Sequence, residues 1–393
     1  MTTRGTMTKN QCVLHVGVPK AGSTSIQLSL FYGLRDPRFR YLSFGNIDSN
    51  VGLRLVFEAD EEADKVMDLN KFEFHGVSTN KTEMFRARYR YKLLRAVADA
   101  KRKERTLILS SEGSWRFNSN RFEKIRDFFH AEGMQPTIVI YVRSLGDWLS
   151  SWYQQSIKMG YCDLDDIIER FEPIDFLAYE KKIRMFDRIF GAENVQTHLF
   201  DPAGFPGRCV VRHFCQEQGI ELSPQAIIRD NDSVPLAATR MFFSWYRFVD
   251  PSLSGKLNRV RHTMLVSRLS RLSGSAIRLS RKMIAQQLDD FERQRPWIEQ
   301  RIGARLEPYH REPSEDSLID KESDLLDFST ESLDWLCRQA KTSMIRPGSK
   351  EQVARQVAER VDRLFRQLDA KAFSAWASSE FGKRRRRLLD PLC

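Results

Sequence analysis

Two rhythms of apolar residues alternate along this chain. Runs at 12–16, 106–111 and 136–142 are dominated by valine, isoleucine and leucine. Such short apolar runs read as strands buried on both faces. A fourth strand is expected at 195–200, and residues 39–44 read as a short strand or a loop. Between the runs lie longer segments with apolar residues at helical spacing. They predict helices directly after the first run and over 52–69, 82–103, 121–131, 147–159, 174–190 and 207–219. Strands alternating with helices predict an α/β fold: a parallel sheet with helices on both faces. From about Asn231 the strand signal fades. Helices are expected over 236–248, 260–291, 296–306, 330–338 and 350–381, with 307–327 as an exposed acidic connection. The expected organisation is a leader over 1–11, an α/β core over 12–230 and a helical C-terminal region over 231–393 with a basic tail.

Composition narrows the class. The 393 residues are 41% hydrophobic and 29% charged, as in a soluble globular protein. A formal net charge of +11 suits acidic partners, among them nucleotides, anionic glycans and anionic membranes. Nucleic acid is not expected, because no recognised module accompanies the charge. No run approaches the roughly 18 apolar residues of a membrane span. The first residues lack the apolar core of a secretory signal, so a cytoplasmic protein is expected. The six cysteines show no paired short spacing and read as reduced thiols. Cys209, His213 and Cys215 are close in sequence, but helical geometry separates the two thiols, and no metal site is expected.

Candidate chemistry enters at 15–27, HVGVPKAGSTSIQ. A strand, a glycine-bearing turn and a helix start make an anion cradle, since turn N–H groups and the positive helix end both favour phosphate. Gly17 to Thr24 fits the phosphate-loop spacing G-x-x-x-x-G-K-[ST] at every position but one. Ser23 stands where the lysine belongs, and Lys20 lies inside the loop instead. A second constellation begins at Arg143, which ends a strand run. Ser151 lies eight positions later on the following helix, with Tyr153 two beyond it. A planar guanidinium and a hydroxyl together suit a second phosphate.

These two motifs resemble those of sulfotransferases that use 3′-phosphoadenosine 5′-phosphosulfate (PAPS). Residues 19–25, PKAGSTS, resemble the loop that holds the 5′-phosphosulfate, and Arg143 with Ser151 resembles the 3′-phosphate motif. Ser25 stands where the cytosolic small-molecule branch has tryptophan, which points toward the bacterial and carbohydrate-type branches. Leu145 replaces a common proline. The resemblance spans roughly the first half of the chain. It implies PAPS as co-substrate, held by Lys20, Ala21, Gly22, Ser23, Thr24, Ser25, Arg143 and Ser151, with Lys20 on the leaving oxygen. No aspartate clearly serves as a magnesium ligand at the strand ends, so metal-independent transfer is expected.

In-line transfer to a hydroxyl or amine also needs a base. Glu112, at the end of the second strand run, is the first candidate, and His75 is the second because its usual pKa suits neutral pH. The acceptor class expected is a glycan or glycolipid. A small-molecule kinase of the phosphate-loop class and a non-catalytic protein binding anionic glycan or membrane are the alternatives. Arg268, Arg271, Arg278 and Lys282 recur at helical spacing beside Leu265, Leu269, Leu272 and Leu279, and a run Lys383–Arg387 follows near the end. They read either as a bundle with solvated arginines or as a surface for peripheral contact with an anionic membrane.

Overall fold

The computed structural model describes residues 11–57, 82–161, 177–230, 233–249, 251, 256–310 and 314–368. The chain runs through β1 (Gln11–Val16), α1 (Ser23–Gly33), β2 (Phe39–Tyr41), α2 (Asn50–Phe57), α3 (Thr82–Arg102), β3 (Thr106–Ser111), α4 (Ser119–Ala131) and β4 (Gln135–Val142). It continues with α5 (Leu145–Lys158), α6 (Tyr179–Phe190), β5 (Val195–Leu199), α7 (Val210–Glu217), α8 (Leu236–Val249) and α9 (Lys256–Leu269). The last elements are β6 (Arg278–Leu279), α10 (Ala285–Ile302), β7 (Leu318–Ile319), α11 (Thr330–Ala340) and α12 (Lys350–Arg366).

The main sheet has five strands in the order β2-β3-β1-β4-β5, and every neighbouring pair is parallel. Consecutive residues of a strand point to opposite faces. Leu107, Ile108 and Leu109 are all fully buried, as are Ile138, Val139 and Ile140. Both faces of the sheet are therefore covered, as the unbroken apolar runs predict. Each such side chain contributes about 1.5–3 kcal/mol on burial. After β1 the chain moves to one side for β2 and β3, then crosses to the other for β4 and β5. The carboxyl end of β1 thus lies where the winding reverses, the place where ligands gather in open α/β sheets.

The C-terminal helices are not a separate layer of apolar packing. A single cluster of buried apolar side chains runs from Cys12 on β1 to Phe242, Trp245, Val361 and Phe365 on α8 and α12. Three expectations for this region are corrected. The helix expected over 260–291 ends at Leu269, and residues 270–284 hold turns and β6. The Ser273-Gly274-Ser275 sequence breaks it, with Gly274 at φ 113. Arg268, Arg271, Arg278 and Lys282 therefore share no helical face. The helix expected to start at Pro296 begins eleven residues earlier and carries that proline inside α10. The connection over 307–327 is not simply exposed: Tyr309, Ile319 and Leu325 are buried, and β7 pairs with β6. Its acidic character disguised those three anchors.

Candidate active site

The cradle forms as its glycines require. Gly22 caps α1 in the left-handed conformation at φ 80, where it adds no side chain to cover the helix end. A Cβ at Gly17 would collide with the hydroxyl of Ser23 and come within 3.0 Å of the Glu112 Cα. The loop therefore folds back on its own helix and lies against the end of β3. The Gly17 N–H donates to the Ser111 carbonyl at 3.0 Å, fixing that contact. Lys20 also takes a left-handed conformation, at φ 65, which costs a lysine on the order of 1–3 kcal/mol. The first turn of α1 contains no acidic residue, so its positive end is not neutralised locally.

Two side chains from the next constellation hold this loop. The Arg143 guanidinium, at the end of β4, donates to the Lys20 carbonyl. Trp148 on α5 donates through Nε1 to the Pro19 carbonyl at 2.8 Å. The two motifs, more than a hundred residues apart in sequence, thus meet at one end of the sheet. Burial pushes the Arg143 pKa down to about 10, with the charge of Arg278 acting the same way and Asp147 opposing. Arg143 stays charged at neutral pH, yet it is poorly solvated and suited to an anionic ligand.

Glu112 stands at the other side of the cradle. Burial pushes its pKa up to about 7, helped by the nearby charge of Asp48, while Lys20 and Arg116 pull the other way. Lys20 and Glu112 are therefore close enough for their charges to interact. Asp48, in the turn between β2 and α2, was not foreseen. Its own pKa is raised to about 6, chiefly by burial, against the hydrogen bond it accepts from the Asn50 N–H at 2.8 Å.

A strap from the C-terminal region crosses the start of α5. Arg278 of β6 pairs with Asp147, the His310 N–H donates to the same carboxylate at 3.0 Å, and the Gly146 N–H donates to the Pro308 carbonyl at 2.8 Å. Any side chain at Gly146 would strike the Tyr309 ring. Leu279 N–H donates to the Ser150 hydroxyl at 3.0 Å. Arg278 and Asp147 are thus part of the Arg143 neighbourhood. Aspartate at 147 carried no signal as sequence, and Arg278 carried a misleading one.

Lys20, Gly22, Ser23, Glu112 and Arg143 are brought together at this crevice. Ala21 is buried beneath it. The three hydroxyls differ: Ser23 donates to the Val18 carbonyl at 3.5 Å, bracing the loop, and Ser25 accepts from the Asp230 N–H at 2.9 Å. Thr24 is half-buried in the first turn. Ser151 is half-buried on α5, and Tyr153 is buried in the core. His75 lies outside the described residues. His213 pairs with the Tyr141 hydroxyl at 2.9 Å, and no cluster of three metal-ligating side chains occurs among the described residues.

No family model and no curated protein sequence matches this chain. Among solved structures, a sulfotransferase from Alicyclobacillus acidocaldarius is similar at 16% identity and a TM-score of 0.32, over 61% of this chain and 91% of that one.

Proposed function

We propose that this chain transfers a sulfuryl group from PAPS to a hydroxyl or amine, with a glycan or glycolipid as the acceptor class. The observation that carries the reading is the contact of Arg143 with the Lys20 carbonyl, which joins two phosphate-type motifs in one crevice. The fit rests on the cradle itself: a glycine-built approach, a helix start with no acidic residue in its first turn, and a half-buried guanidinium. The N–H groups and hydroxyls at the start of α1 would hold the 5′-phosphate, and Arg143 with Ser151 the 3′-phosphate. When bound, the nucleotide supplies the sulfuryl group. Lys20 places positive charge where the leaving oxygen gains negative charge. Glu112, half deprotonated near neutral pH, takes the proton of the acceptor group.

Metal-independent transfer stays part of the proposal, since Lys20 and the helix start supply the positive charge. The kinase alternative gains one residue from the fold, Asp48, a carboxylate beside the loop. Ser23 in place of the lysine still weighs against it. Calorimetry with PAPS, 3′-phosphoadenosine 5′-phosphate and ATP separates the two. The first two should bind far more tightly; equal affinity for ATP, or a strict magnesium requirement, overturns the proposal. Labelled PAPS offered to glycan and glycolipid extracts then identifies the acceptor.

Peripheral contact with an anionic membrane now rests on the basic run Lys383–Arg387, which lies outside the described residues. Co-sedimentation with anionic and neutral vesicles, with and without residues 383–393, tests it. Binding only to anionic vesicles, falling as salt rises, is the expected result. Among the described residues no helix is long and apolar enough to cross a membrane.

A further inference from the structure

Asp48 belongs to no motif, yet the fold aims it at the reacting end of the sheet. The chain beyond β2 rides on β3: Leu42 N–H donates to the Ile108 carbonyl at 2.8 Å and Ser49 N–H to the Ser110 carbonyl at 2.9 Å. The Ser49 hydroxyl ties the turn back to the Leu42 carbonyl at 3.2 Å. Asp48 Oδ1 accepts from the Asn50 N–H at 2.8 Å. The Asn50 amide lies so close to the Gly113 Cα that no Cβ would fit there. The turn is thus clamped against residues 110–113, which brings the Asp48 carboxylate close enough to Glu112 for their charges to interact.

We propose that Asp48 is a positioning residue for Glu112: its turn is fastened to the end of β3, and its carboxylate sets a second negative charge against the Glu112 side chain. This inference rests on the reading of Glu112 as the base. Three charged or titratable groups surround the pair. Lys20 from the cradle and Arg116 from the turn after β3 favour the charged form of Glu112, and Asp48 opposes them. Tyr41 on β2 is half-buried beside Asp48, its hydroxyl donating to the Ile47 carbonyl. An ionised Asp48 makes the proton on Glu112 harder to lose, which moves the base toward the pH at which it must both accept and release a proton.

The test is the titration of Glu112 in the full chain, labelled with carbon-13 at the glutamate carboxyls and read by NMR, with Glu112→Gln to identify the signal. In wild type the midpoint should lie near 7. In Asp48→Asn it should fall by about one pH unit, a tenfold loss of proton affinity. Asp48→Ser, a smaller neutral replacement, provides the same reading should the asparagine variant not fold. The second readout is the pH profile of PAPS hydrolysis, whose acid limb should move with the NMR midpoint. An unmoved Glu112 midpoint in a folded neutral variant overturns the inference. A moved midpoint with an unmoved acid limb supports the Asp48–Glu112 pairing and removes Glu112 from the role of base.

Discussion

At the level of single residues, the proposed function puts binding and chemistry on different side chains. Arg143→Ala should weaken binding of 3′-phosphoadenosine 5′-phosphate by about 1.5–3 kcal/mol, the range for hydrogen bonds to a charged group. Titration calorimetry measures it, and an unchanged Kd would show that the guanidinium serves the loop alone. Glu112→Gln should leave nucleotide affinity nearly intact and lower turnover roughly 10²–10⁴-fold. The same substitution has a stability signature. The folded pKa of Glu112 lies above its ordinary value, so folding favours the protonated form. That preference is present below pH 4.5 and is lost as pH rises through 7. Glu112→Gln should therefore be more stable than wild type at pH 8, by no more than about 3 kcal/mol, and indistinguishable at pH 4. Denaturant midpoints at the two pH values decide it.

Elements add constraints that no single residue states. Trp148 stacks on Trp152 at 5.3 Å while its Nε1 holds the Pro19 carbonyl, so α5 sets the height of the phosphate loop. Trp148→Phe should cost about 1 kcal/mol of stability for the lost hydrogen bond and should also weaken nucleotide binding. On the sheet, β1, β4, β5 and α7 contribute His15, Tyr141, His198 and His213 to one ring cluster, with His15 and Tyr141 buried, His198 and His213 half-buried, and the last two rings 5.1 Å apart. Burial lowers the pKa of His15 to about 3 and of His198 to about 4. Their contribution to stability is complete above pH 6.5 and is lost as pH falls toward 4, since the unfolded chain takes up protons that the folded one refuses. The slope should be up to about 1.4 kcal/mol per pH unit for each histidine. Unfolding curves between pH 7 and 4 measure it, and His198→Asn should flatten them. A slope unchanged by that substitution would place the acid sensitivity elsewhere.

For the whole molecule the deciding feature is the strap of β6 and residues 308–310 over the start of α5. It brings Arg278 to Asp147 and so into the Arg143 neighbourhood. Arg278→Ala should weaken nucleotide binding by about 1.5–3 kcal/mol and leave Asp147 without its cation. Arg268→Ala should not, because Arg268 reaches Gln339 on α11 at 3.0 Å. Helical spacing alone would have these two arginines behave alike. Equal effects on Kd would restore that simpler picture. Basic residues of α3 are likewise sorted by the fold: Arg102 and Lys103 gather with Arg40 on Asp99, whereas Arg88 and Arg90 stand in solvent.

The parallel sheet was readable from apolar runs alone, because strands covered on both faces must be apolar without alternation, and runs such as 106–111 and 136–142 are. The cradle was readable too, because a glycine approach, a helix start and a nearby lysine are local properties of 17–24. Arg143 and Glu112 were legible as polar residues ending apolar runs. What stands around them came from the fold. Asp48 stands in the turn after the three-residue edge strand β2, where no motif marks it, and its importance comes from that turn riding on β3. Asp147 and Arg278 lie 131 positions apart, and nothing periodic links them. The break after Leu269 was written in Ser273-Gly274-Ser275, but a leucine pattern continuing to Leu279 outweighed it. That leucine is buried as part of β6, where the second strand it needs comes from residues 318–319. Local pattern records which residues avoid water. It does not record which distant segment covers them, and at this site the covering segment supplies the charge.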